Sequence, residues 1–351
     1  MKSIRAVLLA IALAPLLSEG AFLDDLAAKS NRTQESPFAT GGDIILKISS
    51  REYVHIFTNV NTVSTFQLTE RSIARILCVG GGGPGGKYHF QYSISGGGGG
   101  AGGFVEKNDV MLTAGMYAIE VGKGGVPSAH NVVNNSGGES AIMRGETDIV
   151  RAHGGGGGGS PFLYSSLGKY DTDARCGRDG ASGGGSCAWD YGDKTGKGGN
   201  ALYEGAEGHR GGLAKGSKEG GKNEYGAGGG GAGEVGYHNY DTTYPGKGGD
   251  GKPCDITGEE LWYAGGGAGG IVTTQVTVSI AGGKGGGGSI LVNPWITTKV
   301  NGTPAVRGTG GGGYGGSRYG STNQTSVGNG ADGIVIVRVV RASEGFKVIV
   351  R

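Results

Sequence analysis

Gly81 to Lys87 reads GGGPGGK and fits the spacing G-x-x-x-x-G-K, directly after the apolar run Ile76-Leu77-Cys78-Val79. Strand, glycine loop and lysine in that order form the arrangement that cradles nucleotide phosphates. The chemistry also requires a serine or threonine after the lysine to hold magnesium, and a helix whose N-terminus faces the phosphates. Here Tyr88 follows Lys87, and the stretch YHFQYSISGGGGG from Tyr88 to Gly100 cannot form a helix of any length. The loop therefore reads as a strand running into structural glycine. Matches to G-x-G-x-x-G carry no information, since about four are expected by chance at this glycine content.

Other chemistry fares no better. The six histidines, His55, His89, His130, His153, His209 and His238, are scattered, with no spacing that suggests zinc. Ser186 in GGGSC reads as a loop serine beside a cysteine. GGDGKPCD around Asp250 and DYGDKTG around Asp193 place acids near glycines, yet neither completes a D-x-[DN]-x-[DN]-G calcium loop. These acids read as solvated turn residues. No catalytic, cofactor-binding or metal-binding residue is assigned, and no enzyme activity is expected.

Residues 1–20 indicate the compartment. Lys2 and Arg5 precede the apolar stretch Ala6 to Leu17, and small residues follow around Gly20 and Ala21, the pattern of a secretory signal peptide. The stretch is too short to span a bilayer, and no later one approaches 18 apolar residues. Membrane insertion is not expected. In an oxidising compartment the four cysteines would pair, and Cys176 with Cys187, which bracket a short loop, leaves Cys78 with Cys254. Sequons at Asn31, Asn134, Asn301 and Asn323 are candidate glycosylation sites, although the proline after Thr303 makes Asn301 a poor acceptor.

Net charge is +2 with interleaved signs, which gives no reason to expect nucleic acid as a partner. Glycine supplies 82 of 351 residues without a G-X-Y period, which excludes collagen. Hydrophobic residues still reach 36% and gather in β-branched runs such as Ile334-Val335-Ile336-Val337, which argues for a folded chain. Residues 21–42 read as a flexible leader. Strand-like segments follow from DIILKIS to DIVRAHG, with Tyr53, His55 and Phe57 alternating against Val54 and Ile56, and they resume from GIVTTQVTVSI to FKVIVR. No segment shows a convincing helical stripe. The expected architecture is mainly β: one domain over 43–351, a β-sandwich-like framework with a glycine-rich insertion at about 154–270. Glycine-only positions would let polyproline II helices pack side by side there, helped by Cα–H contacts to carbonyls.

The order ILCVGGGGPGG, GGGGGAGGFVEKNDVMLTAGMYAIEVGKGG, GGESAIMRGETDIVRAHGGGGGG and closing GNGADGIVIVRVV resembles the glycine-rich domain of bacterial secreted proteins and phage tail-fibre tips. A related region lies outside the membrane in the anaplastic lymphoma and leukocyte receptor tyrosine kinases. The resemblance covers Tyr53 to Val340; its most specific parts are Gly115 to Gly125 and the closing GIVIVR. It implies a β-sandwich-like framework carrying glycine polyproline II helices, with adhesive or receptor-binding roles and no catalysis.

Fifteen tyrosines and three tryptophans are present, many in the inserts between glycine runs. Trp189, Tyr191, Tyr240 and Trp262 are the candidate binding aromatics, because rings on a rigid scaffold order a large contact area cheaply. The same rings could instead cap the glycine region. Two functions follow. One is a secreted, extracellular binding or adhesive module that recognises a surface protein or glycan through these loops. The other is a structural matrix, wall or coat protein, which would self-associate.

Overall fold

The computed structural model describes residues 21–30, 36–88, 94–127, 136–161, 176–187, 195–215, 224–240, 246–273, 278–292, 300–319, 323–324 and 327–342. The signal-like segment 1–20 lies outside them. The protein is mainly β, as its patterning indicates. Ten strands form the framework: β1 (Ala39–Thr40), β2 (Ile44–Ser49), β3 (Glu52–Phe57), β4 (Ser64–Leu68), β5 (Ser72–Val79), β6 (Phe104–Leu112), β7 (Gly115–Glu120), β8 (Ser140–Arg144), β9 (Thr147–Ala152) and β10 (Ile334–Arg341). They build two antiparallel five-stranded sheets, ordered β1-β4-β7-β8-β9 and β2-β3-β10-β5-β6.

The sheets pack face to face. Phe66, Tyr117, Ile119, Ile142 and Val150 of one meet Tyr53, Phe57, Ile76, Val335 and Val337 of the other in a single apolar cluster. The second sheet is also covered on its outer face, where Val54, Ile56, Leu77, Ile334 and Ile336 pack against Ile256, Tyr263 and Ala264. Burial on both faces explains why β10 reads as an unbroken apolar run, with β3 and β5 on either side of it. The alternation in β3 is real, but both of its faces are buried.

The first residues of the expected leader are ordered. Ala21–Lys29 forms helix α1, with Asp24 in its first turn and Lys29 in its last. Phe22 and Leu26, four apart, share one helix face and are buried against the second sheet, and Phe22 meets the Tyr263 ring edge-on at 5.7 Å. Phe38 and Ala39 enter the inter-sheet core, and β1 pairs with β4. The helical stripe was too short to stand out in sequence, and Phe22 and Phe38 are what convert the leader into an anchored arm.

The glycine array is not confined to 154–270. It grows directly out of the strand ends: 80–86 after β5, 96–103 before β6, 122–125 after β7, and 328–333 before β10. Its repeat is three residues. The amides of Gly80, Gly83 and Gly86 donate to the carbonyls of Gly103, Gly100 and Gly97, whose own amides, read in that order, donate to His153, Gly156 and Gly159. A Cβ added to Gly80, Gly83 or Gly86 would lie 2.2, 2.2 or 1.9 Å from the carbonyl oxygens of those same residues 153, 156 and 159. Gly82 and Gly85 face Gly311 and Tyr314 instead, at 2.0 and 1.9 Å. Every third residue thus looks at the same neighbour, which is the repeat of the polyproline II helix. The positions that a side chain would fill are occupied by a neighbouring carbonyl, so each glycine offers a second Cα hydrogen there.

Candidate functional site

The phosphate-loop spacing resolves first. In Gly81 to Gly86 the amides of Gly81, Gly82, Gly83, Gly85 and Gly86 donate to the carbonyls of Gly138, Ala331, Gly100, Gly328 and Gly97, at 2.8–2.9 Å, and Lys87 donates its amide to Ser160 Oγ. The donors that would cradle a phosphate are engaged within the array. A second motif, G-x-S-x-G at Gly180 to Gly184, has the spacing of a nucleophile elbow. Ser182 is fully buried, its amide donates to Ala101, its carbonyl accepts from Gly156, and glycine rather than a helix follows it. It is a packed array residue.

All four cysteines are thiols in the structure. The expected pairs, Cys176 with Cys187 and Cys78 with Cys254, are not formed. For the second pair the reason is topological: Cys78 points into the inter-sheet core, whereas Cys254 lies on the opposite face of the same sheet. Burial pushes the Cys78 thiol up to about 12 and the Cys254 thiol up to about 11. Cys254 Sγ instead sits 3.5 Å from Arg75, whose guanidinium also bonds Glu106 and Asp255 and so clamps Cys254 and Asp255 to the sheet. The hydrogen bond and charge of Arg75 hold Asp255 below the usual carboxylate range.

The inserts project from the array. In the loop from Gly233 to Asp250, Glu234 accepts from Tyr237 Oη (2.7 Å), Lys247 (3.4 Å) and the Asp250 amide (3.2 Å). Asp250 accepts from Lys247 (2.9 Å) and from the Lys284 amide (3.0 Å). Burial opposes the Lys247 charge, but the bond to Asp250 and the charges of Asp250 and Glu234 outweigh it and raise the ammonium. Lys247 also lies 5.0 Å from the Tyr237 ring. Tyr237 is therefore a tie within its loop.

Tyr240 stands differently. It is 53% exposed, and its ring stacks on His238 at 4.9 Å with a 7° interplanar angle. His238 is held in place because its Nδ1 accepts the Leu213 amide at 2.9 Å. Trp262 lies on the strand Leu261–Tyr263, opposite Pro253, half-buried, with the Lys284 ammonium 5.0 Å from its ring. Its neighbour Tyr263 is fully buried, and Tyr314 is 4% exposed. Trp189 and Tyr191 lie outside the described residues. So do Asn31 and Asn134; Asn301 is on the strand Val300–Thr303 and Asn323 on Asn323–Gln324.

One presented ring was not singled out from sequence. Tyr203, in the insert NALYEGAEG, is 49% exposed and lies 4.9 Å from the His153 ring. Buried Glu207 anchors that loop, accepting from the His153 amide (2.9 Å) and facing its Nδ1 at 2.9 Å. Its position between two glycine runs was the available signal.

A sandwich whose strands run into a hydrogen-bonded glycine array, with polar and aromatic inserts at the ends of the array, defines a glycine-rich β domain. A family model described as the glycine-rich domain matches residues 58–340, and the chain belongs to that family. Comparison with curated proteins returns no match. No helix among the described residues is long and apolar enough to cross a membrane.

Proposed function

We propose that the protein is a secreted, non-enzymatic binding or adhesive module that recognises a surface protein or glycan through the aromatic inserts of its glycine frame. Tyr240 carries this reading: an exposed ring already ordered on a hydrogen-bonded histidine loses little freedom when a partner arrives. Secretion rests on the signal-like segment 1–20, and the adhesive role on the resemblance to secreted bacterial and phage tail-fibre-tip domains. The three-residue repeat supports reading the glycine segments as polyproline II helices.

A glycan array and a pull-down with the secreted chain would identify the partner, and Tyr240→Ala and Trp262→Ala would then locate the surface. At a hot spot, either substitution should weaken binding by about 2 kcal/mol or more, roughly 30-fold, with the melting temperature unchanged. Lower stability with no separate loss of binding would favour the structural matrix reading instead. The half-buried Tyr237 and the buried Tyr263 and Tyr314 support that alternative. Sedimentation of the secreted chain separates the two, since a matrix protein should self-associate.

A further inference from the structure

Segments 123–126, 304–307 and 327–332 enclose an open cleft of about 430 Å³, which none of Tyr203, Tyr240 or Trp262 lines. Asp332 organises it. Its Oδ1 accepts the Gly124 amide at 2.9 Å, its Oδ2 accepts from Arg307 Nε at 3.1 Å, and its carbonyl accepts the amides of Gly308 and Gly310. One residue thereby ties all three walls together. The Arg307–Asp332 pair is exposed on the arginine side (57%) and adds little stability. What it fixes is direction: with Nε engaged, the two terminal nitrogens, which take no partner among the described residues, form a fork that matches a carboxylate.

Lys123, exposed at the cleft edge formed by 123–126, takes no ion pair among the described residues, so the lining carries two cations against one carboxylate. The remaining surface is glycine backbone, Asn329, and the apolar surfaces of Val126, Pro304, Ala305, Tyr314, Val327 and Ala331. The floor is rigid: the Gly330 amide bonds Gly125, and a Cβ on Gly330 would lie 1.9 Å from the Gly82 carbonyl. Polar groups set among apolar side chains and one ring suit the hydroxyl groups and C–H faces of a sugar.

We propose that this cleft binds a carboxylate-bearing saccharide, its carboxylate taken by Arg307 with Lys123 supporting it and its hydroxyls meeting Asn329 and donating to backbone carbonyls. The proposal is independent of the aromatic inserts. The test is titration of the full secreted chain with glucuronate-, galacturonate- and sialate-containing oligosaccharides, their carboxyl-reduced neutral forms, and a glutamate-rich peptide of equal charge. At least one acidic saccharide should bind and its neutral form should bind at least tenfold more weakly. Arg307→Gln and Lys123→Gln, each with an unchanged melting temperature, should weaken it at least tenfold and about threefold, while Tyr240→Ala should leave it unchanged. No binding by any acidic saccharide, equal binding by the neutral form, tighter binding by the peptide, or unchanged affinity in both variants would overturn the assignment.

Discussion

Adding one methyl group at Gly156 should damage the array more than its size suggests. The new Cβ would lie 2.0 Å from the Arg178 carbonyl oxygen, 2.7 Å from its carbon and 2.9 Å from the Asp179 oxygen, all backbone atoms that cannot rotate away. Moving from 2.0 Å to the 3.0–3.4 Å of a tight contact requires a retreat of about 1.0–1.4 Å. Gly156 also donates to Ser182 at 2.9 Å and accepts from Gly100 at 2.8 Å. A retreat of that size takes both bonds past hydrogen-bonding distance and leaves buried groups unsatisfied, at about 1–3 kcal/mol each, beside an overpacking cost of similar size. Gly156→Ala should therefore lose roughly 3 kcal/mol or more, a fall in Tm of about 5 °C or more. Gly229→Ala, whose Cβ would lie 1.9 Å from the Gly99 oxygen, should behave alike. Gly205 is the control: nothing among the described residues lies within 4 Å of its Cβ position, and at φ +78° an alanine there meets only the left-handed penalty of about 1–2 kcal/mol. Urea and thermal unfolding of the three variants rank them. If Gly156→Ala proves no worse than Gly205→Ala, close packing of the array is not what holds it.

His55 is fully buried, and desolvation holds its imidazole below the ordinary 6.5 despite the bond to the Gly41 carbonyl. A depressed folded value means that stability is complete above 6.5 and lost as pH falls from there through the folded value, by at most about 1.4 kcal/mol per pH unit; the urea midpoint should drop between pH 7.5 and 5, and His55→Leu should flatten that slope. Tyr263 Oη is buried with no hydrogen-bond partner among the described residues, so Tyr263→Phe should be neutral or stabilising by up to about 1 kcal/mol in the same assay, and a clear loss would reveal a hidden partner. Cys78, fully buried with its thiol pushed up to about 12, should resist a thiol reagent until the chain unfolds. Labelling of native protein at Cys78, read by mass spectrometry, would contradict that placement.

The β framework was legible because its strands bury residues at readable positions, from Ile44 and Leu46 in β2 to the run at Ile334. The arm was less legible, since two phenylalanines in a polar context do not announce whether a core is waiting for them. The array's extent was hidden for another reason. Gly80 to Gly86 and Gly328 to Gly333 flank strands and read as loops, and only pairing across more than two hundred residues, such as Gly82 with Ala331, makes them one structure. Pairing Cys78 with Cys254 as the remainder fails because the two lie on opposite faces of one sheet, which a linear sequence does not reveal. Among the aromatics, composition found the inserts. It could not separate the tie Tyr237 from the presented Tyr240, because Glu234 and His238 decide their roles.

The array also limits where this protein can vary. Along Gly80 to Lys87, the positions 80, 83 and 86 and the positions 82 and 85 are closed by carbonyls about 2 Å from any Cβ. The third face begins closed at Gly81, against the Lys123 oxygen at 2.2 Å, then admits Pro84 and, at the end of the segment, the half-buried Lys87. Some of the alanines in the glycine runs mark where a run meets an apolar cluster, as Ala101 and Ala232 do beside the second sheet and Ala268 does beside Ile271 and Tyr314. Larger side chains therefore belong at segment ends and in the inserts between segments. A frame that forbids side chains along its length, yet fixes where each segment ends, confines chemical variety to its tips. Tyr203, Tyr240 and Trp262 sit in those inserts, while Lys123 and Arg307 stand at the ends that border the cleft.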